Sequence, residues 1–486
     1  MVFSSTVFLF LFLPLILALY FVMPQRGRNL LLLAASLLFY AWGEGFYVAI
    51  MLVSIAMNYV AGRAVDRWRE VSAGKVILLI AIAANLLLLG VFKYANFVVD
   101  NLNLALAPLG LPEVQLDPVH LPIGISFFTF QAMSYVIDVY RRQSAVQHNP
   151  INSALYISLF PQLIAGPIVR YHDIARQLVS RRITLDLFAS GITLFIIGLG
   201  KKMLIANPMG GVADQIFAIP EEHLSAPLCW LGMVCYTLQI YFDFSGYSDM
   251  AIGLGRLFGF RFLINFNYPY IAQSIQEFWR RWHISLSRWF RDYLYIPLGG
   301  NRKGPWRTYF NLMTVFILCG LWHGASWNFV IWGLIHGCFL ILERTGPVAR
   351  GLSRIGRPLR HTYVLLVVMM AWVFFRADSL DYALSFVQAL WGFGADQGLE
   401  YHTWLYLDRE VLLVLVVGII GSTPLLPGVR AQVKRLLDRP RLKVPGMALA
   451  RVMAPAVLIA GLILIKLGSA MHLAAGTHNP FIYFRF

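Results

Sequence analysis

The sequence predicts an all-α, polytopic integral membrane protein, and three observations carry that prediction. Hydrophobic residues make up 58% of the 486 and charged residues only 13%, against about 25% charged in a soluble domain. Lipid must therefore solvate much of this surface. Apolar runs recur at close to the roughly 20 residues that cross a hydrocarbon core. Short loops rich in Lys and Arg alternate with loops that have none, the mark of a chain threading back and forth.

The first apolar run covers about 4–24 and the loop Gln25-Arg26-Gly27-Arg28 follows it. Met1 to Tyr20 resembles a signal peptide in length, but it has no basic leading region and no small-x-small cleavage site, so it reads as a retained span. Runs at about 30–42 and 46–62 are divided by Gly43-Glu44-Gly45, and the charged loop 63–75 separates them from a run at 76–97. Residues 98–119 hold Asp100, Glu113 and Asp117 but no Lys or Arg, and a run at 121–139 ends at Arg141-Arg142. The positive-inside rule then sets the N-terminus outside and the loops 25–28, 63–75 and 141–150 in the cytoplasm.

Residues 152–169 are apolar but interrupted by Pro161, Gly166 and Pro167, with Arg170, Arg176, Arg181 and Arg182 beyond. Basic loops on both sides of one run imply a re-entrant segment, whose broken backbone must be buried in protein or line a wet cavity. Further runs lie near 187–206, 228–245, 308–322, 326–342, 362–376, 410–427 and 450–470. The expectation is about eleven transmembrane helices plus re-entrant and interfacial helices. They form one membrane domain over 1–486, with N-terminal spans in 1–150, a core in 151–345 and C-terminal spans in 346–486.

The net charge of +16 sits in short loops beside apolar runs, which suits anionic lipid and argues against nucleic acid. Cys229, Cys235, Cys319 and Cys338 lie in apolar segments without CxxC spacing, so they read as small buried hydrophobes, and no spacing matches a metal site. Gly253-x-Gly255-x-x-x-Gly259 follows no strand and reads as helix packing rather than dinucleotide binding.

A polar group in hydrocarbon is costly, so polar residues inside apolar runs mark the place for chemistry. Three stretches qualify. In Gly320-Leu321-Trp322-His323-Gly324-Ala325, an imidazole stands at a break between two apolar runs, walled by Trp322. It serves equally as a general base or as a helix-packing histidine. His336 follows thirteen residues later and meets His323 only if the helix bends; packing is its simpler role.

Glu277 to Tyr293 reads as one amphipathic helix on the cytoplasmic surface. Phe278, Trp282, Leu286, Trp289, Phe290 and Tyr293 lie on one face, Arg280, Arg281, Ser287, Arg288, Arg291 and Asp292 on the other, and His283 at the boundary. Seven Lys/Arg against two acids in 276–307 either anchor lipid or form a vestibule for a phosphate-bearing donor. Third, Asp243 and Asp249 in the run Tyr241 to Asp249 either position a substrate or form structural ion pairs, with the arginines of the second stretch as candidate partners.

These runs, YFDFSGYSDMAIG (Tyr241 to Gly253), EFWRRWHISLSRWFRDY (Glu277 to Tyr293) and LWHGA (Leu321 to Ala325) with Trp332-Gly333 and His336-Gly337, resemble the membrane-bound O-acyltransferase family. Phe160 to Pro167 and the ending Pro480 to Phe486 resemble its bacterial, polysaccharide-acetylating branch. The resemblance covers essentially the whole chain.

It implies acyl transfer from a cytosolic thioester, acetyl-CoA as co-substrate with no bound cofactor, to a hydroxyl acceptor. It sets the family's catalytic histidine on His323 and a second, noted in the D-alanyl transferase branch, on His283. Asp243, Asp249, Arg280, Arg291, Trp322 and His336 are then candidates for binding or support. It also implies a bacterial inner-membrane location, periplasmic acetyltransferase partners, polysaccharide secretion machinery and a secreted polymer, alginate foremost. Acetylated cellulose, peptidoglycan and D-alanylated teichoic acid are the alternatives. Broken helices with midplane polar residues would also serve a transporter, and a scaffold for a periplasmic acetyltransferase is a third possibility.

Overall fold

The structure, a computed structural model, describes residues 1–164, 166–394, 400–437, 447–476 and 482; among them all regular structure is helical. After a wide turn at Phe8–Phe12 come α1 (Leu13–Val22), α2 (Arg28–Glu44), α3 (Val48–Trp68), α4 (Ser72–Leu106) and α5 (Ile125–Tyr140). The broken segment follows as α6 (Pro150–Ser158), α7 (Phe160–Leu163) and α8 (Tyr171–Val179). Next are α9 (Leu185–Gly200), a π-helical turn at Lys201–Ala206, α10 (Asn207–Phe217) and α11 (Ala226–Leu257). Then come α12 (Ile275–Arg281), α13 (Ile284–Phe290), α14 (Pro305–His323), α15 (Trp327–Leu342), α16 (Gly346–Arg354), α17 (Arg357–Arg376) and α18 (Leu380–Leu390). The chain closes with α19 (Arg409–Gly421), α20 (Leu425–Leu437) and α21 (Met447–Ala474).

Five helical stretches are long and apolar enough to cross a membrane: Arg28–Trp68, Ser72–Leu109, Leu185–Phe217, Arg357–Arg376 and Met453–Ala474. A sixth arises if Trp327–Leu342 and Gly346–Arg354, bent by 81°, form one span. Length and apolar content do not support the expected eleven. The 16 residues of α5 rise about 24 Å, short of a hydrocarbon core of about 30 Å. The 32 residues of α11 are long enough, but Gln239, Asp243, Ser245, Ser248 and Asp249 dilute their apolar character. Cys229, Cys235 and Cys319 are buried as expected, whereas Cys338 faces outward from α15.

α11 is the central post, buried over most of its length. It runs against α9 so closely that side chains are excluded at the contact. A Cβ on Gly253 would meet the Gly191 carbonyl at 2.7 Å, and one on Gly191 the Gly253 carbonyl at 2.8 Å. The glycine spacing seen in the sequence is therefore a helix-packing device. A second such contact joins α14 and α15, where Gly320 and Gly333 face each other with a Cβ position 3.5 Å from the opposite Cα.

The segment 152–169 is broken at Leu159 and buried almost throughout its described residues, with Ala165 outside them. Its Ile168 N–H donates to Ser285 Oγ at 3.0 Å, tying it to α13. The stretch 277–293 departs from expectation. It is two short helices, α12 and α13, broken at Trp282 and His283, with His283 in the left-handed region at φ 40°. Trp282, His283, Ile284 and Leu286 are buried, so the segment dives into the protein and only residues such as Arg280 and Arg291 face outward. A helical wheel assumes unbroken backbone; here the apolar density around His283 outweighs the strain of one residue at positive φ.

Candidate active site

His323 is the last residue of α14 and is 3% exposed. Aromatic rings box it in: Trp322 at 4.9 Å between ring centroids, Trp332 of α15 at 5.0 Å and Phe375 of α17 at 5.2 Å. The Gly324-Ala325-Ser326 link folds α15 back on α14, and Gly320 and Gly333 let the two helices close far enough for Trp332 to reach the imidazole.

The α12–α13 break brings His283 to the same place. Its ring lies 6.5 Å from that of His323 and 6.1 Å from that of Trp322, packed edge-on at 4.6 Å by Phe244 of α11. Asn265 fixes its tautomer. Asn265 Oδ1 accepts from the Ser285 backbone N–H at 3.1 Å, which only an oxygen can do. His283 Nδ1, 3.3 Å from that oxygen, must then carry its proton. Nε2 is left as the ring's acceptor, fully buried and without a hydrogen-bond partner among the described residues.

The other site candidates separate into groups. His336 Nδ1 accepts from Trp279 Nε1–H at 3.3 Å, and its ring lies parallel to Phe278 and 5.0 Å from Trp332. It buttresses the box from behind Trp332. Trp322 is both wall and neighbour: its ring meets Phe127 at 5.3 Å and Phe130 at 5.6 Å. Asp243 is committed elsewhere, paired with Lys202 at 2.6 Å with both side chains buried, while its other oxygen accepts from the Ile482 N–H at 2.9 Å. Asp249 pairs with Lys201 at 2.7 Å. These carboxylates meet lysines of the π-helical turn, not the arginines of 277–293. Arg280 is exposed on the outer side of α12 and Arg291 just past the end of α13, where it holds Asp292 at 2.7 Å. Of the ending Pro480 to Phe486, only Ile482 lies within the described residues.

Sequence reasoning missed three residues: Asn265, Ser285 and Lys93. Lys93 of α4 is buried, and its Nζ donates to the carbonyls of Trp322 at 2.5 Å and His323 at 3.3 Å. A lysine deep inside the apolar run 76–97 was the available signal, by the same rule that singled out the histidines.

Below this junction, α5, α8 and the turn after α13 are joined by a polar network. Asp138 accepts from Tyr293 Oη at 2.7 Å and holds His172 Nδ1 at 2.8 Å. Arg170 bridges Asp173 at 2.9 Å and Asp292 at 2.5 Å. The Asp138 carboxylate raises His172 above the ordinary imidazole range.

The arrangement can do proton chemistry in a buried, aromatic enclosure. Two imidazoles, one with an open basic nitrogen, meet where a helix end abuts a broken basic segment. The model of the membrane-bound O-acyltransferase family matches residues 118–386, which hold both histidines. The chain belongs to that family. This family member is 43% identical to a probable alginate O-acetylase AlgI of Azotobacter vinelandii, with all of both chains covered. It is 46% identical to that of Pseudomonas aeruginosa, over 87% of this chain and 81% of the relative. It is 37% identical to a peptidoglycan O-acetyltransferase of Helicobacter pylori, over 81% of this chain and 80% of the relative. It is an acyltransferase and a multi-pass membrane protein.

Proposed function

We propose that this acyltransferase takes acetyl from cytosolic acetyl-CoA at the His323–His283 junction and passes it across the bacterial inner membrane for O-acetylation of a secreted polysaccharide, alginate in first place. The observation that carries the reading is the meeting of the two imidazoles, 6.5 Å apart inside an aromatic box. His323 takes the proton of the acceptor hydroxyl as its oxygen attacks the thioester carbonyl. The carbon–oxygen bond forms, the carbon–sulfur bond breaks, and the departing thiolate recovers the proton from the imidazolium. His283, with Nδ1–H held by Asn265, offers Nε2 as a hydrogen-bond acceptor to a second O–H or N–H of the bound substrates and so orients them for the attack. Aromatic walls keep water from the thioester.

The outward arginines Arg280 and Arg291, with the other basic residues of 276–307, attract the donor's phosphates. Periplasmic acetyltransferases and the polymer-secretion machinery receive the acetyl on the far side. The shorter helices complete about eleven crossings in this reading, because protein rather than lipid surrounds them. Alginate is preferred over peptidoglycan because the alginate O-acetylases are the more similar relatives, at 43–46% against 37% identity.

The test uses inverted membrane vesicles that contain the native polymer machinery, fed radiolabelled acetyl-CoA. The wild-type chain should label alginate. His323→Ala, inserted in equal amount, should not; full labelling by that variant would overturn the mechanism, and label in peptidoglycan instead would overturn the choice of polymer.

A further inference from the structure

The geometry points to Lys93 as a positioning residue for His323, acting from a helix outside the region that the family model matches. The inference rests on the proposed role of His323.

An α-helix ends with four carbonyls that have no partner within the helix. In α14 these belong to Gly320, Leu321, Trp322 and His323. The Gly320 carbonyl accepts from the Gly324 N–H at 3.2 Å. Two consecutive residues of α4 satisfy the rest: Tyr94 Oη donates to Leu321 O at 2.7 Å, and Lys93 Nζ to Trp322 O at 2.5 Å and His323 O at 3.3 Å. The third neighbour of Nζ is Ser126 Oγ in the first turn of α5, at 3.3 Å. An ammonium has three protons, and three oxygens receive them.

The cost of burying a charge shows what the contact is for. Lys93 is 8% exposed, well inside a long apolar helix, where a leucine would pack at no electrostatic cost. The position also sets a cation at the negative end of α14. The peptide thus gripped is that of His323 itself, so the grip sets where the imidazole stands relative to His283 and the acyl carbon. An ordinary helix cap anchors a terminus; this one anchors the residue that handles the proton. A shift of about 1 Å in such a group costs about 10²-fold in rate.

The experiment compares wild type, Lys93→Met, Lys93→Arg and His323→Ala in the same inverted vesicles, with acetyl-CoA varied, together with thermal melts of the purified full-length chains. Lys93→Met should lower the maximal rate about 10²-fold while the donor KM stays within about twofold, because the grip acts on geometry and not on donor binding. Lys93→Arg keeps charge and donors and should recover a substantial part of the rate. A maximal rate within threefold of wild type in Lys93→Met would overturn the inference. So would a rate loss that follows the drop in melting temperature with no recovery in Lys93→Arg, which is the signature of a purely structural lysine. If Lys93→Met does not accumulate, Lys93→Gln, with one donating amide and no charge, decides by the same criteria; failure of that variant to accumulate as well would assign Lys93 to folding and overturn the inference. An inactive His323→Ala beside an active Lys93→Met removes this inference alone, whereas an active His323→Ala removes the reading beneath it.

Discussion

The polar side chains around Asp243 and those around His323 are both buried, but they are buried differently. Around Asp243 the charges are matched: the carboxylate forms an ion pair with Lys202 at 2.6 Å and accepts from the Ile482 N–H at 2.9 Å. Around His323, His283 Nε2, His336 Nε2, Trp322 Nε1 and Trp332 Nε1 are buried without hydrogen-bond partners among the described residues. Both clusters bear the cost of removing polar atoms from water. The first recovers it within the protein and so holds helices together. The second leaves capacity open, and open capacity in a buried enclosure is what a substrate can use.

The comparison can be broken first at its open end. His283→Ala should lower acetyl transfer by about 10²-fold, the cost of a misplaced reacting group, with little change in melting temperature. Initial rates at saturating acetyl-CoA measure it; a rate within threefold of wild type would move His283 to the packing side. At the closed end the order reverses. Asp243→Ala strips Lys202 of its buried carboxylate and should destabilise the fold by about 3–5 kcal/mol, and Asp243→Asn with Lys202→Met should regain much of that. Melting temperatures of the purified proteins would show it, and a stable, inactive Asp243→Ala would instead make this cluster part of the chemistry.

How much of this was legible in the sequence follows from where each partner lies. His323 was visible because the glycine and tryptophan that surround it are adjacent in the chain. The family motifs exposed His283, but not the break that buries it, since an amphipathic pattern is read on the assumption of continuous helix. Asn265, which sets the tautomer, is 18 residues away, and the carbonyls that Lys93 holds are 229 and 230 residues away. Such pairings come from tertiary packing, which periodicity cannot reveal. Asp249 shows the same limit: an arginine partner lay nearer in the reading, yet Lys201, 48 residues upstream, takes the place because α9 is locked against α11. Length and apolar content recover five or six spans against the expected eleven for a different reason. Apolar runs mark what is hidden from water, and α5, only 16 residues long, is hidden inside the protein.

Two smaller effects sharpen the contrast between scaffold and site. Gly253→Ala would push a methyl against the Gly191 carbonyl and should cost about 1–3 kcal/mol as overpacking. The melting temperature should fall while the donor KM holds in the folded fraction. The smallest effect is a pH dependence of α8. Because Asp138 raises His172, the folded state favours its protonated form. That contribution is fully present below the ordinary imidazole value of about 6.5 and is lost as pH rises through the higher folded value. Hydrogen exchange of the Tyr171–Val179 amides, corrected for intrinsic rates, should quicken across that rise, and His172→Gln should flatten the response.

The most direct test of the central claim is a double-mutant cycle on the two histidines, with initial acetyl-transfer rates measured for wild type, His323→Ala, His283→Ala and the pair. If His323 and His283 act on one bound substrate pair, the losses are far from additive and the double variant is scarcely slower than His323→Ala alone. Losses that multiply independently would contradict a shared site.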